Sequence, residues 1–227
     1  MERPISVAID GPAAAGKSTV AKRVAAILNF TYIDTGAMYR AFTWAVMERG
    51  LDPQDEKASC SIIPEVTIDL REDGSVFCCG QDVTRAIREP RVSGNVSYIA
   101  SYKDIRLALV DMQRALANAK SVVMDGRDIG TYVLPNAEVK IFQIASVETR
   151  AERRYKENVA KGIPTSFEDV VEDVKKRDYI DSHRAFAPLT PASDSVELDT
   201  SSLSIDEVVD AILKIIADKT GLEIPCH

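Results

Sequence analysis

Apolar and polar positions follow two rhythms along this chain. The run ISVAID, Ile5 to Asp10, is short, apolar and β-branched, the pattern of a strand buried on both faces. A helical repeat follows a glycine-bearing loop: Val20, Val24, Ile27 and Leu28 share one stripe, and Asn29 suits a left-handed stop before the short strand TYID. Strand, loop, helix and strand make a βαβ opening. Thr35 is expected to cap a helix from about Gly36 to Arg49, which Gly50 and Pro53 end. The period then drops to two: VTIDLREDGSVFCCG alternates around Asp73-Gly74, predicting a hairpin and a small antiparallel insert on a parallel core.

From about Pro90 to Asn118 the helical repeat returns, with Ile105, Leu109, Met112 and Leu116 on one face, and leads into SVVMD, a core strand ending at Asp125. VKIFQI predicts another buried strand, followed by a charged helix from about Val147 to Lys161 that Gly162 and Pro164 close. Ser166 and Asp169 mark the start of a helix reaching roughly His183. After a proline-bearing loop comes the short strand VELDT. Ser204 and Glu207 then form a capping-box signature for a helix with Val208, Ile212, Ile215 and Ile216 on its apolar stripe. Strands alternating with helices predict an α/β fold with a mostly parallel central sheet and ligands at its carboxyl edge.

Composition narrows the choice of ligand. The chain has 227 residues, enough for one sizeable core, and its 35 acidic against 28 basic residues give a net charge of -7. That balance argues against coating nucleic acid or an anionic membrane, so an anionic ligand must be met by local clusters. No apolar segment approaches the roughly 20 residues a membrane-spanning helix needs, and no targeting segment is evident, so a cytoplasmic protein is expected. Cys60, Cys78, Cys79 and Cys226 lack metal-ligand spacing; as strand neighbours, Cys78 and Cys79 would point to opposite faces. His183 and His227 offer little for a histidine relay.

The loop after the first strand carries the clearest chemistry. In IDGPAAAGKST, Gly11, Gly16, Lys17 and Ser18 have the spacing of a phosphate-binding loop. The small residues Pro12, Ala13, Ala14 and Ala15 let backbone N–H groups curl around a phosphate, Lys17 reaches the outer phosphates, and Ser18, followed by Thr19, meets magnesium. A plain glycine-rich turn is the competing reading; the strand before and the helix after favour the phosphate loop. By itself the loop does not separate a kinase from an ATPase or a switch.

Later loops bear on that choice. Thr35 and Arg40 offer a hydroxyl and a planar cationic fork to a second anion, or else a capped helix with a solvated arginine. In DGRDIG, Arg127 and Asp128 lie between Gly126 and Gly130, suited to a phosphate and a base, or to a local ion pair. Arg150, Arg153 and Arg154 share one helical face, as do Arg177, Asp181 and Arg184 on the next helix; ordinary surface pairing is the plainer account. Two arginine-bearing helices around Gly162-Ile163-Pro164 suggest a cover, which fits phosphoryl transfer better than switching.

Together IDGPAAAGKST, YIDTGAMYRA, VVMDGRDIGT, ERRYKEN and KRDYIDSHRAFAPL closely resemble the bacterial type of cytidylate kinase, nearly end to end. The resemblance implies a three-layer P-loop nucleoside monophosphate kinase fold forming a single domain over 1–227. A monophosphate-binding insert would lie at about 62–92 and a lid at about 150–170. It implies an ATP-binding loop from Gly11 to Thr19, with Ser18 on magnesium. Thr35, Arg40 and Arg127 would hold the CMP phosphate with Arg184 helping; Ser97, Arg106 and Asp128 would face cytosine; Arg177 and Asp181 would contact the sugar. Lys17, Arg127, Arg150, Arg154 and Arg184 are the implied catalytic groups. Asp125 is read either as a magnesium-organising carboxylate or as a turn cap. The expected reaction moves the terminal phosphate of ATP to CMP or dCMP, in a monomer that binds neither nucleic acid nor membrane. The alternatives are a kinase for another small acceptor such as UMP, or a nucleotide switch without an acceptor.

Overall fold

A computed structural model of the chain describes residues 4–71, 73–118 and 120–225, so Cys226 and His227 lie outside the described residues. It divides into two compact units, Met1–Tyr32 with Lys120–His227, and Ile33–Ala119.

The first unit is built on β1 (Ser6–Asp10), β6 (Val122–Gly126), β7 (Val139–Ile144) and β8 (Val196–Asp199). With β2 (Thr31–Asp34), in which the chain leaves this unit, they form a sheet of order β2-β6-β1-β7-β8. The pairs β1–β6, β1–β7 and β7–β8 are parallel. The apolar runs predicted as buried strands are those strands, because a strand covered on both faces carries no polar alternation. Val7, Ile9, Val123, Val139 and Ile141 pack with α1 (Lys17–Leu28) and α9 (Ile205–Thr220) through Val20, Val24, Ile212 and Ile216. Asn29, at φ 54°, stops α1, and the Ser204–Glu207 capping box starts α9. The same unit carries α7 (Val147–Ala160) and α8 (Phe167–His183), joined through a small core of Ala151, Val170 and Val174. Register decides where chemistry can gather: Asp10 lies beside Gly126, so the loops leaving β1 and β6 start at the same sheet edge.

The second unit holds α2 (Thr35–Glu48), α3 (Glu56–Ser61), the antiparallel β3 (Ile68–Leu70), β4 (Val76–Cys78) and β5 (Gln81–Asp82), then α4 (Pro90–Ser93), α5 (Val96–Ile99) and α6 (Lys103–Ala117). Its core gathers Met38, Phe42, Val76, Cys78, Ile87, Ile99, Ile105 and Leu109.

Several expectations change here. Asp34, not Thr35, caps α2, its carboxylate accepting from the Ala37 amide at 2.8 Å; a carboxylate at this position suits the helix dipole better than a hydroxyl. The hairpin gains a third strand, β5, paired with β4. The stretch 90–118 is three helices, because Gly94-Asn95 and the extended Tyr102 interrupt it. Within α6 the buried face runs through Ile105, Arg106, Leu109, Gln113 and Ala117, leaving Leu116 40% exposed, so two polar side chains replace part of the expected apolar stripe. Among the described residues no helix is long and apolar enough to cross a membrane.

Candidate active site

The loop from Gly11 to Gly16 depends on glycine at both ends. Gly11 has φ 148° and Gly16 φ 89°, and a Cβ on Gly11 would lie 2.0 Å from the Gln143 carbonyl oxygen. Between them Ala14 also takes a left-handed turn, at φ 60°. Gly16 begins α1 with no side-chain cap and no acidic residue in the first turn, so an anion would meet the positive end of the helix dipole. The buried Lys17 folds back over the loop, its Nζ donating to the Pro12 carbonyl at 2.7 Å. Burial and the nearby Arg127 charge push the Lys17 ammonium down to about 7, against Asp125, Asp10 and Asp181, which favour its charge.

Three side chains brace this loop from outside. Gln143 donates to the Ala15 carbonyl at 2.6 Å, and Arg153 donates to the same oxygen at 3.2 Å and to the Thr200 carbonyl at 2.7 Å. Arg150 is 4% exposed; it donates to the Ala13 and Ala145 carbonyls and meets the Asp178 carboxylate with two nitrogens, at 3.0 and 2.7 Å. A forked guanidinium suits this work, since one plane of donors fixes backbone and carboxylate together. Arg154 is half-buried and instead pairs with Glu157 at 3.3 Å.

Beside the loop, the Ser18 hydroxyl and the Tyr32 hydroxyl each donate to an Asp125 carboxylate oxygen, both at 2.8 Å. Ser18 Oγ and the Asp125 carboxylate are hard oxygen donors placed together, the kind of partial shell that magnesium uses while keeping waters and phosphate oxygens. Among the described residues no group of three or more His, Cys, Asp or Glu forms a metal cage. Thr19, the next residue along α1, is exposed.

Asp10, at the end of β1, holds the opposite loop. Its two carboxylate oxygens accept from the Ile129 and Gly130 amides at 2.8 and 2.7 Å, directly after Arg127 and Asp128. Burial pushes its carboxyl up to about 6, more strongly than these two amides pull it down. Asp10 is thus a positioning residue that ties the end of β1, where the phosphate loop begins, to the loop after β6. Its folded value exceeds that of a free carboxyl, so folding binds the proton more tightly and stability falls as pH rises from about 4 to about 6. Asp10→Asn keeps only one accepting oxygen for two amides. The variant is expected to lose about 1–3 kcal/mol of stability near pH 4 and less at neutral pH, where the wild-type carboxylate bears the cost of its own buried charge. Urea unfolding across this pH window should also show it without the wild-type slope; an identical slope in both proteins would refute the assignment.

Arg127 Nε donates to Asp181 at 2.9 Å, and Arg127 also reaches the Gly126 carbonyl at 3.2 Å. Arg184 lies 3.3 Å from the Asp128 carboxylate and donates to the Ala187 carbonyl at 2.7 Å. Burial would raise the Asp181 carboxyl, but Arg127, Arg177 and Arg184 together hold it below the usual carboxylate range. Arg127, Asp128, Arg177, Asp181 and Arg184 therefore form one charged cluster within the first unit.

Thr35, Arg40, Ser97 and Arg106 belong to the second unit. There Thr35 and Ser97 are buried, and Arg40 pairs with Asp34 at 3.0 Å. Arg106, 1% exposed, donates to the Ala100 carbonyl at 2.9 Å and sits 5.2 Å above the Tyr39 ring. A charge at such depth is sustained by these contacts with the end of α5 and with α2.

The cytidylate kinase family matches residues 7–218. The chain belongs to the cytidylate kinase family. It is 55% identical over 222 residues to the cytidylate kinase of Anoxybacillus flavithermus, covering 96% of this chain and 99% of that one. It is 52% identical to the Bacillus licheniformis cytidylate kinase, covering 96% and 99%. Among solved structures, a gluconokinase from Sinorhizobium meliloti 1021 superposes with a TM-score of 0.52 at 13% identity, covering 96% and 94%, a likeness of fold.

In this family member, sequence reasoning passed over Asp10, Gln143, Tyr32 and Asp178. A signal existed for two of them. Asp10 and Gln143 are polar residues near the carboxyl ends of largely apolar strands, where burial demands a partner. Tyr32 and Asp178 carry no such mark, because both are only half-buried and Asp178 lies on a helix crowded with other charges.

Proposed function

We propose that this chain transfers the terminal phosphate of ATP to CMP or dCMP, giving ADP and the diphosphate. The observation that carries this reading is the pairing, at one sheet edge of the first unit, of a braced phosphate loop with the Arg127–Asp128 loop. Family membership supplies the acceptor. The backbone from Gly11 to Thr19 cradles the donor phosphates, and Lys17, charged once a phosphate replaces Pro12 as its partner, draws electron density from the transferring group. Magnesium, where bound, neutralises phosphate oxygens, and Ser18 with Asp125 would hold it.

Thr35, Arg40, Arg127 and Arg184 hold the CMP phosphate; Ser97, Arg106 and Asp128 read cytosine, whose amino group suits a carboxylate and whose ring acceptors suit a hydroxyl and a guanidinium. Arg177 and Asp181 take the sugar. Arg150 acts by fixing the loop, and Arg154, paired with Glu157 on α7, can turn to the transferring phosphate as the lid closes. The acceptor oxygen is already anionic, so positioning and charge neutralisation suffice without a histidine or cysteine nucleophile. The protein acts as a monomer in the cytoplasm, where its nucleotides and magnesium occur together, and binds neither nucleic acid nor membrane.

A coupled ADP assay with ATP, magnesium and a panel of CMP, dCMP, UMP, AMP and GMP tests this. ADP should form rapidly with CMP and dCMP and slowly with the others. A preference for AMP, GMP or a non-nucleotide acceptor would overturn the substrate, and ADP release indifferent to acceptor would favour a switch. Arg106→Ala and Asp128→Ala each remove a charged hydrogen bond of about 1.5–3 kcal/mol. Each is therefore expected to lower kcat/KM for CMP by roughly 10- to 100-fold, with a much smaller loss for UMP.

A further inference from the structure

The second unit contains a thiol pair that the phosphoryl-transfer reading does not use. Strand alternation would separate Cys78 and Cys79 across the sheet, but β4 ends at Cys78 and Cys79 takes a left-handed φ of 51°. That turn swings the second side chain back, and the two Sγ atoms lie 4.0 Å apart. Their surroundings differ. Cys78 is fully buried, with its Sγ 3.7 Å from the Ala41 carbonyl. Cys79 is exposed; its Sγ receives an Arg49 N–H at 3.9 Å and lies 3.5 Å from the Glu65 carbonyl. The charges facing the pair are Arg49 and the Glu65 carboxylate, itself 3.6 Å from Arg49.

We propose that Cys78 and Cys79 form an oxidation site for hydroperoxides, in which Cys79 is oxidised first and Cys78 then closes onto it as a disulfide between sequence neighbours. The Cys79 thiolate attacks one peroxide oxygen; an S–O bond forms, the O–O bond breaks, and the departing alkoxide takes a proton to leave as an alcohol, or as water from hydrogen peroxide. The Cys78 sulfur then attacks Cys79 sulfur, expelling hydroxide that takes up the Cys78 proton as water. Two thiol hydrogens are lost and one peroxide is reduced. The asymmetry of the pair assigns the order. Burial acts against the Cys79 thiolate, yet hydrogen bonds from the Thr67 backbone, Arg49 and Cys78 outweigh it and leave this thiol below its ordinary range, while burial pushes Cys78 up to about 12. Exposure and thiolate character together make Cys79 the attacking group.

Peptide-resolved mass spectrometry of the whole chain, titrated with hydrogen peroxide in the presence of dimedone, tests this. The peptide holding both cysteines should lose two hydrogens, resist alkylation after unfolding, and recover with reductant. Cys79 should react at least about tenfold faster than Cys60, whose thiol burial and nearby carboxylates push up. Cys79→Ser should abolish the loss of two hydrogens, and Cys78→Ala should stop at a Cys79 sulfenic acid captured by dimedone. Cys79 is exposed, so its variant retains the core even if Cys78→Ala does not fold. Dimedone-labelled Cys79 beside a still-alkylatable Cys78 in the native chain, or Cys79 oxidising no faster than Cys60, would overturn the proposal.

Discussion

Lys17→Ala is expected to cut kcat for phosphoryl transfer by roughly 10²–10³-fold, the usual cost of deleting one donor aimed at developing transition-state charge. The loss should extend to every acceptor, because Lys17 serves the donor side. Stability should change little or rise, since the free protein buries a lysine whose ammonium is pushed down to about 7 by burial and by Arg127. That depressed value carries a second expectation. Burial and Arg127 favour the neutral form of the free side chain and a triphosphate favours its charged form, so ATP binding at pH 8 should take up protons. Calorimetry of ATP binding in buffers of different ionisation enthalpy reads this uptake directly, and Lys17→Ala should abolish most of it. Wild-type binding without proton uptake would show that Lys17 is already charged in the free protein.

Gly11→Ala should damage the same loop by a different route. The added methyl would stand 2.0 Å from the Gln143 carbonyl oxygen, on backbone at φ 148° that side-chain-bearing residues rarely adopt. Backbone meets backbone there, so no side chain can turn aside. A loss of more than about 3 kcal/mol is expected, together with loss of nucleotide binding. Gly16→Ala makes the contrast: its φ of 89° is strained, but the nearest atoms to the new Cβ are side-chain nitrogens at 3.8 and 3.9 Å. Strain alone costs about 1–2 kcal/mol. Thermal unfolding of both variants separates the effects, and equal losses would mean that the close approach of Gly11 to β7 does not govern the loop.

Much of the architecture was legible because its causes are local. Apolar runs marked β1, β6 and β7; Asn29, Ser166 and the Ser204–Glu207 box marked helix ends where the structure has them. Legibility failed where neighbours competed. Asp34 and Thr35 are both capping residues, and the carboxylate takes the position, while Thr35 enters the helix. In the stretch 90–118 the repeat through Ile105, Leu109, Met112 and Leu116 lies within α6 alone, so helical character was legible there but the breaks before it were not. For the candidate site, spacing pointed to Arg177, Asp181 and Arg184 as one helical face and, separately, to Arg127 beside Asp128 in the loop after β6. Their pairing of Arg127 with Asp181 and Arg184 with Asp128 required the chain to return to the β6 loop from α8.

By itself the sequence determined a phosphate loop, an alternating α/β order and the family, since each is written in spacing over a few turns or in residues held in register along the chain. Only the tertiary structure decided what holds that loop in shape: Arg150 and Arg153 on its carbonyls, Gln143 beneath it, and Asp10 clasping the loop after β6. It also decided that Cys78 and Cys79 meet. The reason is physical. Hydrophobic period and capping act within a few residues, whereas a buried carboxylate or guanidinium must find whatever partner the fold brings to it, and that partner leaves no trace in the local pattern.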